Sequence, residues 1–368
     1  MIRTVLLAGV VLVCACVALA AAPAAAPDPP AAAFRGLGYL PGADFASIAK
    51  GVSADGSTVV GASIALTAWQ AVRWTVAGGL QGLPDPADSH VYTYALAASA
   101  DGLVVVGWRK SLRGHEAFRW TAKDGPKGLG FLPANDLYSR AYAVSADGSI
   151  VVGSAISDNG WEAFRWTAKD GIKGLGALMP KPFASRAAGI SADGSVIVGY
   201  SRSMKGQEAC RWTAAGIQGL GDLPGGEFLS QAAGVSADGR VVVGFSKSEK
   251  GPGGEAFRWT EKDGMRGLGD LPGGTFDSAA QACSGDGAVI VGASKTASGD
   301  EAFIWDAARG MRRLKQVLAE ECGLNLLGWT LTMANGISAD GRTIAGYGTN
   351  PDGKTEAWVA VLGTAVKP

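Results

Sequence analysis

A glutamate three residues before an arginine recurs along the sequence, and carboxylates at a fixed spacing are candidates for acid–base chemistry. The pattern occurs at Glu116 with Arg119, Glu162 with Arg165, Glu208 with Arg211, and Glu255 with Arg258. Glycosidases cleave sugar chains with two carboxylates, so hydrolysis is one interpretation. The same residues recur in successive copies, however, whereas an active site is asymmetric. We therefore predict ion pairs between neighbouring repeats and nominate no catalytic residue.

A Ser-Ala-Asp-Gly tetrad, Ser-Gly-Asp-Gly in one copy, also recurs and raises the question of bound calcium. Its aspartates are Asp55, Asp101, Asp147, Asp193, Asp238, Asp286 and Asp340. A calcium loop concentrates several oxygen ligands in one short segment, which none of these copies does. Asp-Gly favours a tight turn because glycine accepts a positive φ. We predict turns at these positions and no metal site.

Histidine and glycine motifs indicate no cofactor. Only His90 and His115 are present, which is little material for a histidine-rich metal site or for histidine catalysis. Gly-x-Gly spacings are frequent because 55 of the 368 residues are glycine. None has the strand-to-helix context of a dinucleotide site. We therefore expect no cofactor.

Two positions differ from copy to copy, and asymmetry is what a binding site requires. They lie five and three residues before the tetrad serine. Their polar and aromatic members are Tyr94, Arg140, Tyr142, Arg186, Gln231 and Gln281. Placed near one mouth of a central channel, this cluster could bind an anionic or sugar-like ligand. Ordinary variable packing between repeats is the alternative.

A second asymmetric feature is basic. Several copies carry cations in the segment between the second and third predicted strands, namely Arg109, Lys110, Arg113, Arg202, Lys205, Lys247 and Lys250. A solvated rim of loops explains them. A weak docking surface for an acidic polymer or for the cell envelope is the alternative interpretation.

The elements that must position these residues come from an internal repeat. The tetrads begin at Ser53, Ser99, Ser145, Ser191, Ser236, Ser284 and Ser338, at spacings of 45 to 54 residues. Each copy has four strand-like segments separated by turn residues. In the fifth copy the predicted strands are Ser230–Ser236, Arg240–Ser246, Glu255–Thr260 and Gly267–Leu271. This is the size of a β-propeller blade.

The repeats predict an all-β fold, a seven-bladed β-propeller with four-stranded blades. The last copy lacks its fourth strand, and a spare motif at Gly36–Pro41 precedes the first copy. Pairing the two would close the ring and remove exposed sheet edges. The first strand presents Ser or Thr, then Ala, then Gly or Ala on one face, so we place it innermost, where blades converge. One short helix is predicted near residues 314–322.

The N-terminal segment is typical of export. Residues 1–22 read as a signal peptide, with a cationic start, an apolar run and small residues at the end. Lipoprotein anchoring at Cys16 is a less favoured alternative. Residues 23–33 are an Ala/Pro-rich lead-in, residues 34–362 the repeat domain and residues 363–368 a tail. No later apolar stretch is long enough for a transmembrane span. Cys210 and Cys283 take places that other copies fill with apolar residues, so we expect packing roles.

The repeat resembles the HAF-type extracellular repeat of exported bacterial proteins. The similar motifs are Glu-Ala-Phe-Arg-Trp-Thr, Gly-Leu-Gly-x-Leu-Pro-Gly-Gly and Ser-Ala-Asp-Gly-x-Val-Val-Val-Gly, in a fixed order over residues 34–362. The histidine of the family name is replaced by Glu in six copies, for example Glu116, and by Gln70 in the first. The resemblance implies an exported repeat protein and transfers no catalytic residue.

We therefore predict a secreted or periplasmic protein that is a non-catalytic binding or scaffolding module. A hydrolase or lyase acting on polysaccharide is the alternative function. Lys and Arg number 33, as do Asp and Glu, so no net charge favours nucleic acid as a partner. The partner is unknown, and a glycan, an acidic cell-envelope polymer or another protein remain the candidates.

Overall fold

The computed structural model describes residues 31–42, 45–65, 68–84, 92–111 and 114–363. The predicted signal peptide, residues 1–22, lies outside the described residues. So do most of the lead-in and of the tail, together with His90 and Arg113. Over the described ranges the chain consists of mostly antiparallel β-sheets and one helix. The prediction of an all-β fold built from four-stranded groups is confirmed at this level.

We call each group of four successive strands a unit. The strands of the first three units are β2 (Ser47–Val52), β3 (Thr58–Ala65), β4 (Ala68–Thr75) and β5 (Gly79–Gly82); β6 (Thr93–Ala98), β7 (Val104–Ser111), β8 (Gly114–Thr121) and β9 (Gly125–Gly128); and β10 (Ser139–Val144), β11 (Ile150–Ser157), β12 (Gly160–Thr167) and β13 (Gly171–Gly174). Within each unit the strands pair in chain order.

The later units repeat this plan. Their strands are β14 (Phe183–Ile190), β15 (Ile197–Arg202), β16 (Gln207–Thr213) and β17 (Gly216–Gly219); β18 (Ser230–Val235), β19 (Val241–Lys247), β20 (Gly254–Thr260) and β21 (Gly264–Gly267); β22 (Ser278–Cys283), β23 (Val289–Thr296), β24 (Gly299–Asp306) and β25 (Gly310–Arg313); and, in the last unit, β26 (Thr330–Ile337), β27 (Thr343–Thr349) and β28 (Thr355–Val361). The third and fourth units join into one eight-stranded sheet through a short parallel pairing of β12 with β14.

The N-terminal strand β1 (Ala33–Gly36) supplies the fourth strand of the last unit. It pairs antiparallel with β28, from Ala33 opposite Val361 to Gly36 opposite Trp358. The Phe34 ring packs edge-on against Trp329 at 5.2 Å between centroids. The first and last ends of the described chain therefore meet in one sheet.

The fourth strand of the fifth unit lies earlier in the sequence than predicted. In the fifth unit it is Gly264–Gly267, whereas Gly267–Leu271 was predicted. The Gly-Leu-Gly-x-Leu-Pro motif begins at the last residue of this strand and forms the connection that follows it. Its leucines pack into the core. Leu271 is 1 % exposed, and Leu223 in the preceding copy is 4 % exposed. The spare N-terminal strand likewise ends at Gly36, where the predicted motif begins.

The first strand of each unit is innermost, as its small residues predicted. It is the edge strand of its unit, and it contacts the first strands of the units on either side. The alanines four residues before the tetrad serine are all buried: Ala49, Ala95, Ala141, Ala187, Ala232, Ala280 and Ala334. Small side chains allow the sheets to approach here.

The hydrophobic core lies between neighbouring units. One cluster joins Val60 and Ala71 of the first unit to Val105, Phe118 and Trp120 of the second. Phe164, Phe257 and Phe303, the third-strand phenylalanines of other units, are fully buried. The expectation that these aromatic residues fill the space between units is confirmed. Cys210 is fully buried, and Cys283 packs beside another of these clusters, as expected for small apolar residues.

The single helix of the described chain, α1 (Leu314–Glu320), confirms the prediction near residues 314–322. It packs Leu314, Val317 and Leu318 into the core between β24 and β26. Gly323 has φ +67°, and the Leu324 amide donates to the Leu318 carbonyl, so glycine stops the helix at its C-terminus. With seven residues, the one helix in the described part of the chain is too short to span a bilayer.

Candidate ligand-binding site

A β-bulge in the innermost strand directs side chains toward the centre. In most units the pairing between first and second strands shifts after the buried alanine, for example between Ala141 and Ala143. The extra residue at this bulge, Tyr142 in the third unit, is one of the two variable positions. Bulges re-aim side chains in this way beside functional sites.

The innermost strands enclose a cavity of about 570 Å³. Most of its wall is small or apolar, with alanine and glycine from several units. The polar and aromatic side chains in the wall are Lys50, Tyr142, Arg186, Tyr200, Gln231, Phe245, Gln281 and Asn335. Among the described residues that line it, none is Asp, Glu or His. The wall is therefore cationic and uneven, although the backbone around it repeats.

Four of the six predicted site residues line this cavity: Tyr142, Arg186, Gln231 and Gln281. The Arg186 guanidinium carbon lies 3.8 Å from the centroid of the Tyr142 ring, which holds the arginine by a cation–π contact. The Arg186 Nε is buried and has no hydrogen-bond partner within the described part of the chain.

Lys50 and Asn335 also line the cavity, at the same variable position as Tyr142, but the prediction omitted them. The Lys50 ammonium lies 5.6 Å from the Tyr347 ring centroid, and burial lowers the pKa of this lysine below its usual value. Asn335 donates from Nδ2 to the Ala49 carbonyl at 2.7 Å, across the junction of the last and first units. The polarity of both residues at a variable position was the available signal.

The other two predicted residues, Tyr94 and Arg140, are not among the residues that line the cavity and instead contact a ladder of rings. Adjacent rings have centroids 4.7 to 5.8 Å apart, in the order Trp69, Tyr94, Trp108, His115, Tyr138 and Trp161. The first four of these contacts are stacked. The cavity wall therefore brings together four of the six predicted residues and does not include these two.

Arg140 fixes the middle of this ladder. Its guanidinium lies 3.9 Å from the Trp108 centroid, and its Nη2 is 2.9 Å from His115 Nδ1. Since arginine can only donate, His115 Nδ1 accepts and the ring is neutral. Burial, and then the positive charges of Arg140 and Lys110, lower the pKa of His115. The ring faces contact one another, so the ladder packs neighbouring units together.

The third-strand glutamates bind backbone amides. Glu162 accepts from the Gly176 amide at 3.1 Å, and Glu208 and Glu255 do the same for Gly221 and Gly269. Each holds the connection that leads to the next unit. The described ion pairs of these glutamates lie within a unit, such as Glu116 with Arg109 at 2.8 Å. The predicted ion pairs between repeats are therefore wrong for the glutamates. A third-strand arginine does reach the next unit, because Arg211 lies 3.5 Å from Glu261.

The tetrad is a hydrogen-bonded turn, as predicted. In the third unit Ser145 donates to Asp147 Oδ1 at 2.6 Å, the same oxygen accepts from the Ser149 amide, and Ser145 Oγ accepts from the Ile150 amide. Gly148 has φ +72°, which favours glycine. The hydrogen bonds from Ser145 and Ser149 lower the pKa of Asp147 to about 2.

The basic loop residues are engaged in local contacts. Lys250 pairs with the buried Glu255 at 2.7 Å, and Lys247 donates to the Pro252 carbonyl. Lys205 lies 5.4 Å from the Phe228 ring centroid. These contacts within the chain account for part of the basic rim, so no external acidic polymer is needed to explain it.

Comparison with known proteins supports the fold. No family model matches the sequence, and a search of curated proteins finds no relative. Among solved structures, an oligogalacturonate lyase in complex with manganese is 12 % identical with a TM-score of 0.56, covering 91 % of this chain and 98 % of that one. An oligogalacturonate lyase from Vibrio parahaemolyticus is 9 % identical with a TM-score of 0.54, covering 92 % and 99 %.

A TolB from Acinetobacter baumannii is also similar, at 12 % identity and a TM-score of 0.48, covering 70 % of this chain and 63 % of that one. The chain thus spans less than two thirds of this TolB. At these identities the likeness to the two lyases shows the fold alone. The chain is an all-β protein with a propeller scaffold.

Proposed function

We propose that the units form a closed ring of seven blades. Two sets of contacts support this. The innermost strands touch in a continuous cycle, including β26 with β2. The tetrads also form a cycle of backbone hydrogen bonds, in which Ala100 donates to Ala146, Ala146 to Ala192, and Ala339 of the last unit to Ala54 of the first. Strand β1 then joins the two ends of the chain as the outer strand of the last blade.

Within this ring, we propose that the protein is a binding module whose ligand occupies the central cavity. One observation supports this most strongly: cations and amides from different units converge on a wall that is mostly small or apolar. A purely structural channel wall would need no such polar side chains, because desolvated polar groups cost free energy when unpaired. Small-molecule sites combine an apolar wall with a few convergent polar groups in this way.

A polysaccharide lyase is the second candidate. A hydrolase with two carboxylates has no support in the cavity, since no carboxylate is among the described lining residues. A lyase needs a base, and burial lowers the pKa of Lys50, which makes its neutral amine more accessible. The likeness to oligogalacturonate lyases adds only the scaffold to this argument.

Filling the cavity tests the binding function. Ala233 lines the cavity, so Ala233→Phe should weaken any ligand found on a screen of glycans and acidic polymers by at least about tenfold, because the ring occupies its place. Ala215→Phe, at an exposed turn, is the matched control and should leave binding unchanged. Calorimetry measures binding, and product analysis over time measures turnover.

The outcomes separate the two functions. Saturable binding without products supports the module, whereas products that require Lys50 support the lyase. Unchanged affinity in Ala233→Phe for every ligand found would contradict a site in the cavity.

We also propose that the protein is exported. This rests on the composition of residues 1–22, which matches a signal peptide. N-terminal sequencing of the protein from a periplasmic or culture fraction should find a chain that begins after the apolar run. A chain that retains Met1 in the cytoplasm would contradict export.

A further inference from the structure

We infer that the cavity ligand is a polyhydroxylated organic dianion, a molecule that carries two acidic groups and several hydroxyl groups. The inference rests on the proposed function, because it names the ligand class of that same site. Two cations without acceptors and two amides in the wall carry the argument.

Arg186 is the first cation that lacks an acceptor. No hydrogen bond or ion pair joins its guanidinium to a described residue, and its Nε is buried. Stacking on Tyr142 covers one face of the guanidinium, so the N–H groups at its edge are the part that can donate hydrogen bonds to a ligand. That edge matches the two oxygens of a carboxylate, and stacking fixes its orientation in advance.

Lys50 is the second cation that lacks an acceptor. Its ammonium makes a cation–π contact with Tyr347 and has no acceptor among the residues that the structure describes. Burial without a counter-charge is unfavourable for a lysine, and it lowers the pKa of this one. An anion beside the ammonium would offset that cost.

The two cations come from different parts of the wall. Lys50 belongs to the first unit and Arg186 to the fourth, and no carboxylate lies among the described lining residues between them. We therefore infer two acidic groups in the ligand, one for each cation. Uncompensated positive charge also disfavours a cationic ligand.

Between the cations the wall offers amides. Gln231 and Gln281, from the fifth and sixth units, have both donors and acceptors, and they suit hydroxyl groups. A cavity of about 570 Å³ is within the range of small-molecule sites and exceeds the volume of a six-carbon diacid.

A matched set of six-carbon probes tests the inference on the full chain. Galactarate has two carboxylates and four hydroxyl groups; galactitol keeps the hydroxyls without charge, gluconate has one carboxylate, and adipate has two carboxylates without hydroxyls. At about 0.15 M salt, calorimetry should rank galactarate first, at least about tenfold tighter than each of the other three.

Variants of the two cations test whether Arg186 and Lys50 produce this ranking of affinities. Arg186→Met and Lys50→Met should each weaken galactarate binding by about 10- to 100-fold, the range expected for a hydrogen bond to a charged group, and should leave galactitol unaffected. Arg140→Met is the matched control, because it removes a stacked arginine that lies outside the cavity. Circular dichroism checks that each variant folds.

The failures are distinguishable. Galactitol bound as tightly as galactarate, or galactarate binding that survives both cation substitutions, overturns the dianion while leaving the cavity as a site. Galactarate that binds no tighter than adipate overturns the role of the hydroxyls. Ligands that all bind as before to Ala233→Phe overturn the proposed function itself.

Discussion

At the scale of single residues, the tetrad aspartates have a measurable effect on stability. Hydrogen bonds from Ser145 and Ser149 lower the pKa of Asp147 to about 2, and those from Ser191 and Ser195 lower that of Asp193 to about 2. An aspartate in an unfolded chain has a pKa of about 3.9. Because the folded pKa is the lower one, these carboxylates stabilise the fold above pH 4, and this stability is lost as pH falls toward 2.

The variant Asp147→Asn tests this. Its amide oxygen is a weaker acceptor than a carboxylate, so we expect it to be less stable than the natural protein at pH 7, by under about 1 kcal/mol because the group is exposed. The difference should shrink between pH 4 and pH 2, as measured by urea unfolding across pH. Asp158→Asn is the control, because Asp158 is exposed and its carboxylate accepts no hydrogen bond from the residues described. A constant difference at all pH values would contradict the linkage.

The candidate site was predicted in part at this scale. Variation between copies identified Tyr142, Arg186, Gln231 and Gln281, which line the cavity. The same argument selected Tyr94 and Arg140, which the aromatic ladder holds instead. Sequence position could not separate the two groups, because Tyr94 stacks both on Trp108, opposite it in its own unit, and on a partner from another unit. Trp69 is one such partner, brought beside Tyr94 only by packing of the first unit on the second.

At the scale of elements, the third-strand glutamate fixes the connection between units. Glu162 is buried and accepts from the Gly176 amide. Glu162→Ala should therefore lower the free energy of unfolding by about 1–3 kcal/mol, because it removes a hydrogen bond to a charged group and leaves a part-buried donor without a partner. Glu162→Gln keeps an acceptor and should cost less than half as much. Urea unfolding measures both.

Glu227→Ala is the control for this pair, since Glu227 is exposed and should change stability by less than about 0.5 kcal/mol. Equal losses in the Ala and Gln variants would show that the amide of Gly176 does not depend on this side chain.

Strand positions were predicted well where side chains alternate and poorly where they do not. The alternation of Ser, Ala and Gly located the innermost strand, because one face of it must be small where sheets converge. The outer strands, such as Gly264–Gly267, are short and half exposed, so they lack an apolar pattern. Buried leucines in the connection that follows, including Leu271, imitate the pattern of a strand.

At the scale of the whole molecule, the pairing of β1 with β28 joins the two ends of the chain. A circular permutant tests its contribution: residues 31–46 are moved behind Gly363, so that the last unit becomes one continuous hairpin series. Since a Cβ at Gly363 would lie 3.0 Å from Ala32, a short linker suffices. We expect a native circular dichroism spectrum and faster unfolding in urea, because opening the proposed ring at this junction then breaks contacts between units without breaking a strand ladder.

A second permutant is the control for this effect. It has new termini in the exposed turn at Lys262 and Asp263, and its natural termini are joined. Strand β1 therefore becomes covalently linked to the last unit. The third and fourth strands of the fifth unit then belong to opposite ends of the chain. It should unfold at a rate close to that of the natural protein. If the first permutant unfolded no faster than this one, the β1 pairing would not be what retains the ring.

The same strand pairing decides how the molecule would sit if its N-terminus were attached to a surface. Strand β1 is the outer strand of its sheet, so the polypeptide enters the fold at the perimeter, far from the innermost strands. In the proposed ring, a tether at that end would hold the molecule by its perimeter, so the axis of the central cavity would run parallel to the surface. Solutes could then reach the cavity from either side, whichever way the tether turned.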